Sequence, residues 1–388
     1  MGAPSPPIAE DPHPVSAITD TPLSPSLGNK EPRSIPCPPP GRSPVHSEVH
    51  RRAPSKKPGA KELPLLIVNC WLVFFSIWGN LARLGFVAFT DYPGAPVGGG
   101  QSRASGVLWA NFAGCLIMGF LVQDLRLFSK RRKKLTLGDE QANDTSGSVS
   151  NPDMNELQIP PMVDKTTIPL YLGLTSGFCA SFTSFSSYIL QAFLYLSNTL
   201  PHYPQPAKGY SVLSFIAYIV LTLALSNAGL QFGVRLAEIS ESFTPEISTT
   251  FIRLLDKVVP LLAAGVWVGS VAALAAEWRR DIFLACVFSP LGALARFWVS
   301  KRLNPHFKNF PLGTFVINIS GCAILAGLVI GQYSQSWSRG AVVCQLLKGV
   351  GDGFCGSLTT VSSWVVEIRG LKGIASLFRV WSIGLTDK

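Results

Sequence analysis

Long apolar stretches with few charged residues recur along the chain between polar segments. Eight of them are apolar over roughly 18 residues or more, the length at which a helix can cross a bilayer. Their predicted bounds are 63–89, 106–128, 167–197, 211–234, 258–276, 282–299, 311–333 and 341–366. The pattern predicts an all-α membrane protein. The overall balance of 47% hydrophobic and 14% charged residues agrees with that class.

Two polar segments interrupt this pattern. Residues 1–62 contain half of the chain's 30 prolines and many serines, without apolar periodicity, and they predict a disordered tail. Because no apolar signal segment follows the first methionine, we expect the first span to direct membrane insertion. The second polar segment, 129–166, is an insert between the second and third spans.

Positive charge is concentrated beside the spans. The net charge is +10, and the largest basic cluster, "KRRKK" at 130–134, follows the second span. Since cytoplasmic loops collect Lys and Arg, this placement predicts a cytoplasmic N-terminus. It also favours a lipid bilayer over nucleic acid as the partner. Most of the eight cysteines lie in or beside apolar spans, which is typical of small buried hydrophobic residues rather than disulfides.

Three motifs occur twice in the same order. They are "GNLAR" ending at Arg83 and "GALAR" ending at Arg296, "ANFAGC" with Asn111 and "INISGC" with Asn318, and "GFCASFTSFSS" from Gly177 and "GFCGSLTTVSS" from Gly353. The span at 258–276 has no counterpart, and one extra crossing makes the second copy start on the opposite side of the membrane. The sequence therefore predicts inverted repeats, 63–236 and 282–388, joined by a linker helix at 258–276.

The Gly/Ser/Thr-rich string of the third motif favours a local break in its helix. A break leaves backbone carbonyls without intrahelical partners. Two breaks that face each other across the repeat could bind a small cation through oxygen atoms. The alternative is a close helix contact through small residues, without a ligand. The repetition favours the ion site.

Aromatic and hydroxyl side chains alternate directly after the first break. Phe185 and Tyr188 lie three residues apart on one helix face, among the hydroxyls of Ser184, Ser186 and Ser187. The positive edge of an aromatic ring can face an anion. For a phenylalanine in a membrane helix, lipid contact or core packing is the alternative.

Other polar residues within the spans are few. The amides of Asn111 and Asn318 could bind a partly dehydrated anion or form interhelical hydrogen bonds. Arg83 and Arg296 could attract anions into a vestibule or extend to lipid headgroups. Asp352 is the one carboxylate well inside a span.

We expect Asp352 to pair with Lys348, four residues earlier on the same helix face. No paired catalytic carboxylates, phosphate-binding loop or histidine cluster at metal-ligand spacing occurs in the sequence. The chain is therefore not predicted to be an enzyme.

These motifs occur twice in the same order. In this respect the sequence from about 63 to 366 resembles the CrcB/Fluc/FEX fluoride channels in their fused two-domain eukaryotic form. The resemblance implies four-helix halves joined by a linker helix and a structural sodium ion. The backbone oxygens that would hold the sodium are those of Ala180, Thr183, Gly356 and Thr359. The residues that would line the anion pore are Asn111, Asn318, Phe185, Tyr188, Ser186, Ser187, Tyr218 and Thr222, with Arg83 and Arg296 at a vestibule.

The second copy departs from this pattern at two places. Val361 and Trp364 stand at its aromatic positions, which suggests that one of the family's two pores has lost its anion-coordinating geometry. After Val366 the sequence is short and interrupted by Arg369, Lys372 and Arg379. We therefore expect the last helix of the second half to be missing.

The expected function is passive, fluoride-selective export from the cytoplasm by a single chain in the plasma membrane, without an obligatory protein partner. Two alternatives remain open. One is a proton-coupled small-solute transporter, for which Asp352 is the only titratable candidate. The other is a non-conducting scaffold or regulator.

Overall fold

The computed structural model describes residues 65–90, 104–130, 165–199, 209–275, 279–307, 310–333 and 340–370. All of them belong to one compact unit, Lys57–Lys388. Within these ranges the chain is helical and contains no β-strand. The predicted tail at 1–62, most of the insert at 129–166 and the segment after 370 lie outside the described residues, so the expected absence of a last helix stays a prediction.

The first copy contains two continuous helices, one interrupted span and a third continuous helix. Its elements are α1 (Leu65–Thr90), α2 (Ala104–Gln123), α3 (Pro169–Leu172), a π-helix (Gly173–Cys179), α4 (Ala180–Phe182), α5 (Phe185–Ser197) and α6 (Tyr210–Ile239).

The linker and the second copy follow the same plan. Their elements are the linker α7 (Thr249–Ala272), then α8 (Arg280–Leu303), α9 (Leu312–Tyr333), α10 (Ala341–Val350), a second π-helix (Gly351–Cys355), α11 (Gly356–Leu358) and α12 (Ser362–Gly370).

Six helices of the described residues are long and apolar enough to cross a membrane: α1, α2, α6, α7, α8 and α9. The two other predicted spans, 167–197 and 341–366, are the ones that carry the repeated Gly/Ser/Thr-rich string. In each of them a π-helix and a short α-helix end in extended backbone before the next helix begins. The chain is thus an all-α, multi-pass membrane protein, and its two helix breaks lie where the composition predicted them.

The linker helix begins earlier than its hydrophobicity suggested. It starts at Thr249 rather than at 258, and its first turns contain Arg253, Asp256 and Lys257. Asp256 is nevertheless buried, because the indole N–H of Trp71 donates a hydrogen bond to its Oδ1 at 2.9 Å. The charged residues therefore do not end the helix, and the hydrogen bond joins the linker to α1.

The ends of the polar insert lie close together. Lys165 Nζ donates hydrogen bonds to the carbonyl oxygens of Leu121 and Val122, at 3.1 and 2.8 Å, at the end of α2. A lysine at this position satisfies carbonyls that lack helical partners and interacts favourably with the helix dipole. This contact joins the start of the third span to the end of the second.

The core combines residues from both copies. Trp71, Cys115 and Cys179 of the first copy pack in one buried apolar cluster with Val361 and Val365 of the second. The seven cysteines among the described residues are free thiols, and four of them are buried. The prediction that they act as small buried hydrophobic residues is confirmed for these four, and the other three are half-buried.

Candidate functional site

The two helix breaks share one backbone geometry. Thr183 has φ −88° and ψ 152°, and Thr359 has φ −95° and ψ 152°. Each break ends at a hydroxyl residue that caps the following helix: Ser184 Oγ accepts from Ser187 N–H at 3.2 Å, and Thr360 Oγ1 accepts from Ser363 N–H at 3.3 Å. Because a hydroxyl can replace the missing helical partner, the sequence restarts each helix directly after its break.

The two breaks exchange side chains across the repeat. Thr359 Oγ1 of the second copy accepts from Ser186 N–H of the first at 3.0 Å. In the matching contact, Thr183 Oγ1 accepts from the N–H groups of Val361 and Ser362, both at 3.2 Å. Both threonines are fully buried. Each threonine therefore caps the helix of the other copy, and the two breaks form one unit.

The two predicted pore asparagines hold the backbone of the breaks. Asn111 Oδ1 accepts from Ser184 N–H at 2.9 Å, and Asn318 Oδ1 accepts from Thr360 N–H at the same distance. Their Nδ2 atoms donate back to the carbonyl oxygens of Ser184 and Thr360, at 3.5 and 3.1 Å. The interhelical hydrogen bond was the alternative considered from the sequence, and it is present. Since an amide nitrogen carries two N–H groups, each amide retains a second donor that this bond does not use.

The two arginines bridge the copies instead of extending to the membrane surface. Both side chains are 3% exposed. Arg83 Nη1 donates to Ser181 O at 3.0 Å, and Nη2 donates to Asp352 O in the second π-helix. Arg296 Nη1 donates to Ala180 O at 3.1 Å, and Nη2 donates to Ser176 O in the first π-helix.

This arrangement explains the paired "GxxxR" motifs. A Cβ atom at Gly79 would collide with Phe178 O, and one at Gly292 would collide with Phe354 O, so the glycines allow α1 and α8 to approach the π-helices of the third and eighth spans. The arginine one turn later then reaches carbonyls near the breaks. Sequence reasoning identified both arginines but did not predict that they connect the two copies.

Arg296 also faces a small polar cavity of about 90 Å³. Its lining residues are Ser176, Arg296, Phe297, Ser300, Thr314, Thr360, Ser363 and Glu367. The cavity combines the Arg296 guanidinium and several hydroxyl groups with the Glu367 carboxylate, so its charge does not by itself favour an anion, and the vestibule role of Arg296 stays a prediction. Arg83 does not line this cavity.

Four aromatic rings form a continuous path beside the first break. Phe185 and Tyr188 meet edge to face with centroids 5.6 Å apart, and Tyr188 lies 5.8 Å from Tyr218 of α6. Trp364 of the second copy also meets the Phe185 ring edge to face, at 5.5 Å. From the sequence, Trp364 indicated only a degenerate second pore. The structure places it in the aromatic path of the first copy.

A row of hydroxyl groups continues from these rings along α6. Tyr218, Thr222 and Ser226 are spaced by four residues and therefore lie on one helix face, and all three are buried. By strict hydrogen-bond geometry Thr222 Oγ1, Ser226 Oγ and Gln191 Nε2 have no partner among the described residues, although the Tyr218 hydroxyl lies close to Thr222 and the Cys115 thiol lies close to Ser226. Buried polar atoms without well-formed hydrogen bonds are rare, and such hydroxyl groups are suited to bind water or a passing ion. Ser226 was missed from the sequence, although its spacing from Thr222 could have revealed it.

The predicted serines have different roles at the break. Ser186 is buried, and its Oγ donates to Cys355 O of the second copy at 3.2 Å. Ser187 is partly buried, and its Oγ accepts from Ser184 Oγ at 2.9 Å. Ser186 therefore belongs to the contact between copies, whereas the hydrogen bonds of Ser187 stay within the first copy.

The expected pairing of Lys348 with Asp352 is wrong. Lys348 Nζ binds Asp281 Oδ2 at 2.7 Å, at the start of α8. In a regular α-helix, residues four apart lie on the same face. A π-helix begins at Gly351 and has more residues per turn, so this spacing no longer brings Lys348 and Asp352 together. The carbonyl of Asp352 instead accepts from Arg83.

The oxygen atoms predicted to hold sodium lie at the centre of this unit. The described residues contain no group of three or more His, Cys, Asp or Glu side chains that could hold a metal. The carbonyls of Thr183 and Thr359 follow extended backbone, outside regular helical hydrogen bonding. The Ala180 carbonyl accepts from Arg296, and a Cβ at Gly356 would lie 2.6 Å from Arg83 Nη1. Two of the four positions therefore lie against guanidinium groups.

Comparison with known proteins identifies relatives of this chain. Residues 70–234 and 283–385 match the family model described as CrcB-like protein, Camphor Resistance (CrcB). "Fluoride export protein 1" of Neurospora crassa is 38% identical over 373 residues, which cover 88% of this chain and 70% of the relative. "Fluoride export protein 1" of Candida albicans is 34% identical and covers 79% of this chain and 73% of the relative.

A bacterial relative covers less of the chain. "Fluoride-specific ion channel FluC 2" of Rhodococcus jostii is 34% identical over 90 residues, which cover 23% of this chain and 70% of the relative. No solved structure matches the chain. Because the two matched ranges together include more than half of the sequence, the chain belongs to the CrcB family.

Proposed function

We propose that this chain is a passive, fluoride-selective channel that exports fluoride from the cytoplasm across the plasma membrane. The observation that carries the proposal is the path beside the first break, where aromatic ring edges lead to a row of buried hydroxyl groups. Hydroxyl donors and positive ring edges can replace part of the water around a small anion without the tight binding of a full charge. The names of the fungal and bacterial relatives support fluoride as the ion.

The path runs from Phe185 and Trp364 past Tyr188 to Tyr218 and the α6 hydroxyls. Thr222 and Ser226 each supply one buried hydroxyl that makes no hydrogen bond of strict geometry with a described residue. An anion that moves along α6 would exchange one hydroxyl for the next, one turn further on. The free N–H of Asn111 lies beside the break where this path begins.

Export in this scheme needs no ATP. A channel lets the membrane potential expel the anion, and an inside-negative potential supplies about 2.3 kcal/mol per charge per 100 mV. A cytoplasmic N-terminus agrees with the basic cluster at 130–134. A single chain contains both copies of the break unit, which supports function without another protein partner.

We also propose a sodium ion at the two breaks. Backbone carbonyls are hard oxygen donors that suit such a cation. The carbonyls of Thr183 and Thr359 would be its main ligands, and Ala180 O would be shared with Arg296. Replacing sodium by potassium or N-methylglucamine should lower the unfolding temperature of the purified protein if sodium holds the breaks together. An unchanged unfolding temperature would contradict this site.

Growth of fluoride-sensitive cells tests the function. Cells that express the full chain should grow at fluoride concentrations that stop cells carrying an empty vector. The Phe185→Ile variant, expressed at the same level, should not support growth. Resistance that survives Phe185→Ile would contradict the proposed path, and absence of resistance from the well-expressed native chain would favour the scaffold alternative.

The proton-coupled alternative has its own test. Asp352→Asn should abolish transport if that carboxyl group carries a proton through the pathway. A channel of the proposed kind should keep most of its flux, because Arg83 binds the backbone carbonyl of Asp352, which this substitution leaves in place.

A further inference from the structure

An apolar groove lies between the two copies, away from the aromatic path. Its volume is about 260 Å³. The first copy contributes Leu65 and Val68 of α1, Thr166 and Leu172, and the second copy contributes Phe297, Trp298 and Lys301 of α8. The groove therefore follows the contact between the first spans of the two copies.

The groove has one cationic residue at its rim. Lys301 Nζ lies 4.9 Å from the centroid of the Trp298 ring and 5.8 Å from that of Phe297. Trp298 is itself fixed, because its indole N–H donates to Asn69 Oδ1 at 3.1 Å. Within the described part of the chain, no carboxylate forms a salt bridge with Lys301. An apolar groove that ends at an unpaired, positioned ammonium is complementary to an amphiphilic anion.

The surroundings of the groove indicate that it faces lipid. Its walls belong to α1 and α8, which are long and apolar enough to cross a membrane. Leu65 is 51% exposed and the adjacent Leu66 is 69% exposed. Lys301 and Arg302 form the basic last turn of α8, at the level where basic side chains meet headgroups. In the proposed topology this level is the cytoplasmic leaflet, which is the anionic one.

We propose that this groove binds one anionic phospholipid, with an acyl chain between α1 and α8 and the phosphate at Lys301 Nζ. Phosphatidylglycerol and phosphatidylserine share the required chemistry, a phosphodiester with net negative charge and an apolar tail. The lipid contacts both copies and lies next to the residues that join them. Leu172 directly precedes the first π-helix, and Phe297 directly follows Arg296.

This position couples the lipid to the contact between the breaks. Arg296 binds the carbonyls of Ser176 and Ala180 in the first copy. A lipid that packs against Phe297 and Leu172 holds α8 and the third span at the separation at which those hydrogen bonds form. Anionic lipid should therefore stabilise the folded chain through the joint between its halves.

Thermal unfolding of the full chain in detergent, with added phosphatidylglycerol or phosphatidylcholine, tests the proposal. For the native chain, phosphatidylglycerol should raise the unfolding temperature by several degrees more than phosphatidylcholine does. Lys301→Gln should remove this difference, and Lys301→Arg should retain it. Lys257→Gln is the matched control, because Lys257 is an exposed lysine on α7 that does not line this groove.

Two further arms complete the experiment. Leu65→Trp should weaken the phosphatidylglycerol effect by filling the groove without changing the charge, so the proposal remains testable if Lys301→Gln folds poorly. Inorganic phosphate should not reproduce the effect, because it lacks the acyl chain. Equal shifts with both lipids, or equal losses in Lys301→Gln and Lys257→Gln, would overturn the proposal in favour of non-specific attraction to basic residues. The readout does not depend on fluoride transport.

Discussion

Thr359 of the second copy caps a helix of the first copy: its Oγ1 accepts a hydrogen bond from Ser186 N–H at 3.0 Å. Thr183 makes the matching contact with the N–H groups of Val361 and Ser362. Each broken helix is therefore capped partly by its own copy and partly by the other copy. This dependence gives a physical reason for the repeated string and for the presence of both copies in one chain.

Loss of the Thr359 hydroxyl should destabilise the contact between copies. In Thr359→Val the shape is nearly unchanged, but the buried N–H of Ser186 loses its acceptor. The expected cost is about 1–2 kcal/mol. A lower unfolding temperature of the purified protein measures it. Thr359→Ser should restore most of the stability, and Thr250→Val, at an exposed position, is the control. Native-like stability of Thr359→Val would show that this cap contributes nothing.

The close approach at Gly79 should not tolerate a side chain. In Gly79→Ala the new methyl group would collide with Phe178 O, and the helices must separate at a cost of about 1–3 kcal/mol. Gly85→Ala on the same helix is the control, since a methyl group there meets no atom within 4 Å. Only Gly79→Ala should lower both the unfolding temperature and fluoride efflux. Equal behaviour of the two variants would contradict the proposed role of the glycine.

The α6 hydroxyls should matter for transport and not for folding. Thr222 Oγ1 makes no well-formed hydrogen bond among the described residues, and only the Tyr218 hydroxyl lies close to it, so Thr222→Val should lower stability little. If the hydroxyl binds the passing anion, efflux should fall about tenfold or more, as for the loss of a hydrogen bond to a charged group.

Thr175→Val provides the comparison for this prediction. Its hydroxyl donates to Tyr171 O at 2.8 Å, within the same helix. This variant should affect stability slightly and efflux little. Native efflux in folded Thr222→Val would remove α6 from the pathway.

The aromatic path should depend unequally on the two copies. Phe185→Ile removes a ring that meets both Tyr188 and Trp364, and it should abolish efflux. Trp364→Leu should reduce efflux, although Trp364 belongs to the second copy. Val361→Ala should retain most of the efflux, because Val361 packs in the apolar core. Fluoride efflux from liposomes at matched protein content ranks the three variants. Equal tolerance of Phe185→Ile and Val361→Ala would contradict this assignment.

The opposite orientation of the two copies is testable by labelling. A single cysteine in the 129–166 insert and one in the 334–339 loop, each in a background without other reactive cysteines, should react with an impermeant reagent from opposite sides. The reason is the extra crossing by α7 between the copies. Labelling of both sites from the same side would exclude the inverted repeat.

The sequence predicted the elements of the fold better than their contacts. Hydrophobicity located every continuous span, and Gly, Ser and Thr located both breaks, because length and local composition determine these features. The predicted start of the linker helix was wrong, because a hydrogen bond from α1 allows Asp256 to be buried within the helix. The pairing of Lys348 was wrong because a π-helix changes the local register.

Long-range contacts explain what the sequence did not predict at the site. Arg83 and Arg296 looked like surface or vestibule residues, and only the folded chain brings them to the carbonyls of the opposite π-helix. Trp364 looked like part of a lost pore, yet it packs on Phe185. Both outcomes depend on how the two copies meet, and spacing within one copy contains no information about that.

Passive passage of fluoride along the aromatic and hydroxyl path of the first copy is the proposal on which the others depend. Liposomes that contain the purified full chain, loaded with potassium fluoride and given a potassium diffusion potential with valinomycin, measure it directly with a fluoride electrode. This proposal predicts rapid fluoride efflux without a proton gradient, much slower chloride efflux under the same potential, and loss of fluoride efflux in folded Phe185→Ile. Fluoride efflux no faster than from protein-free liposomes, or undiminished in that variant, would contradict it.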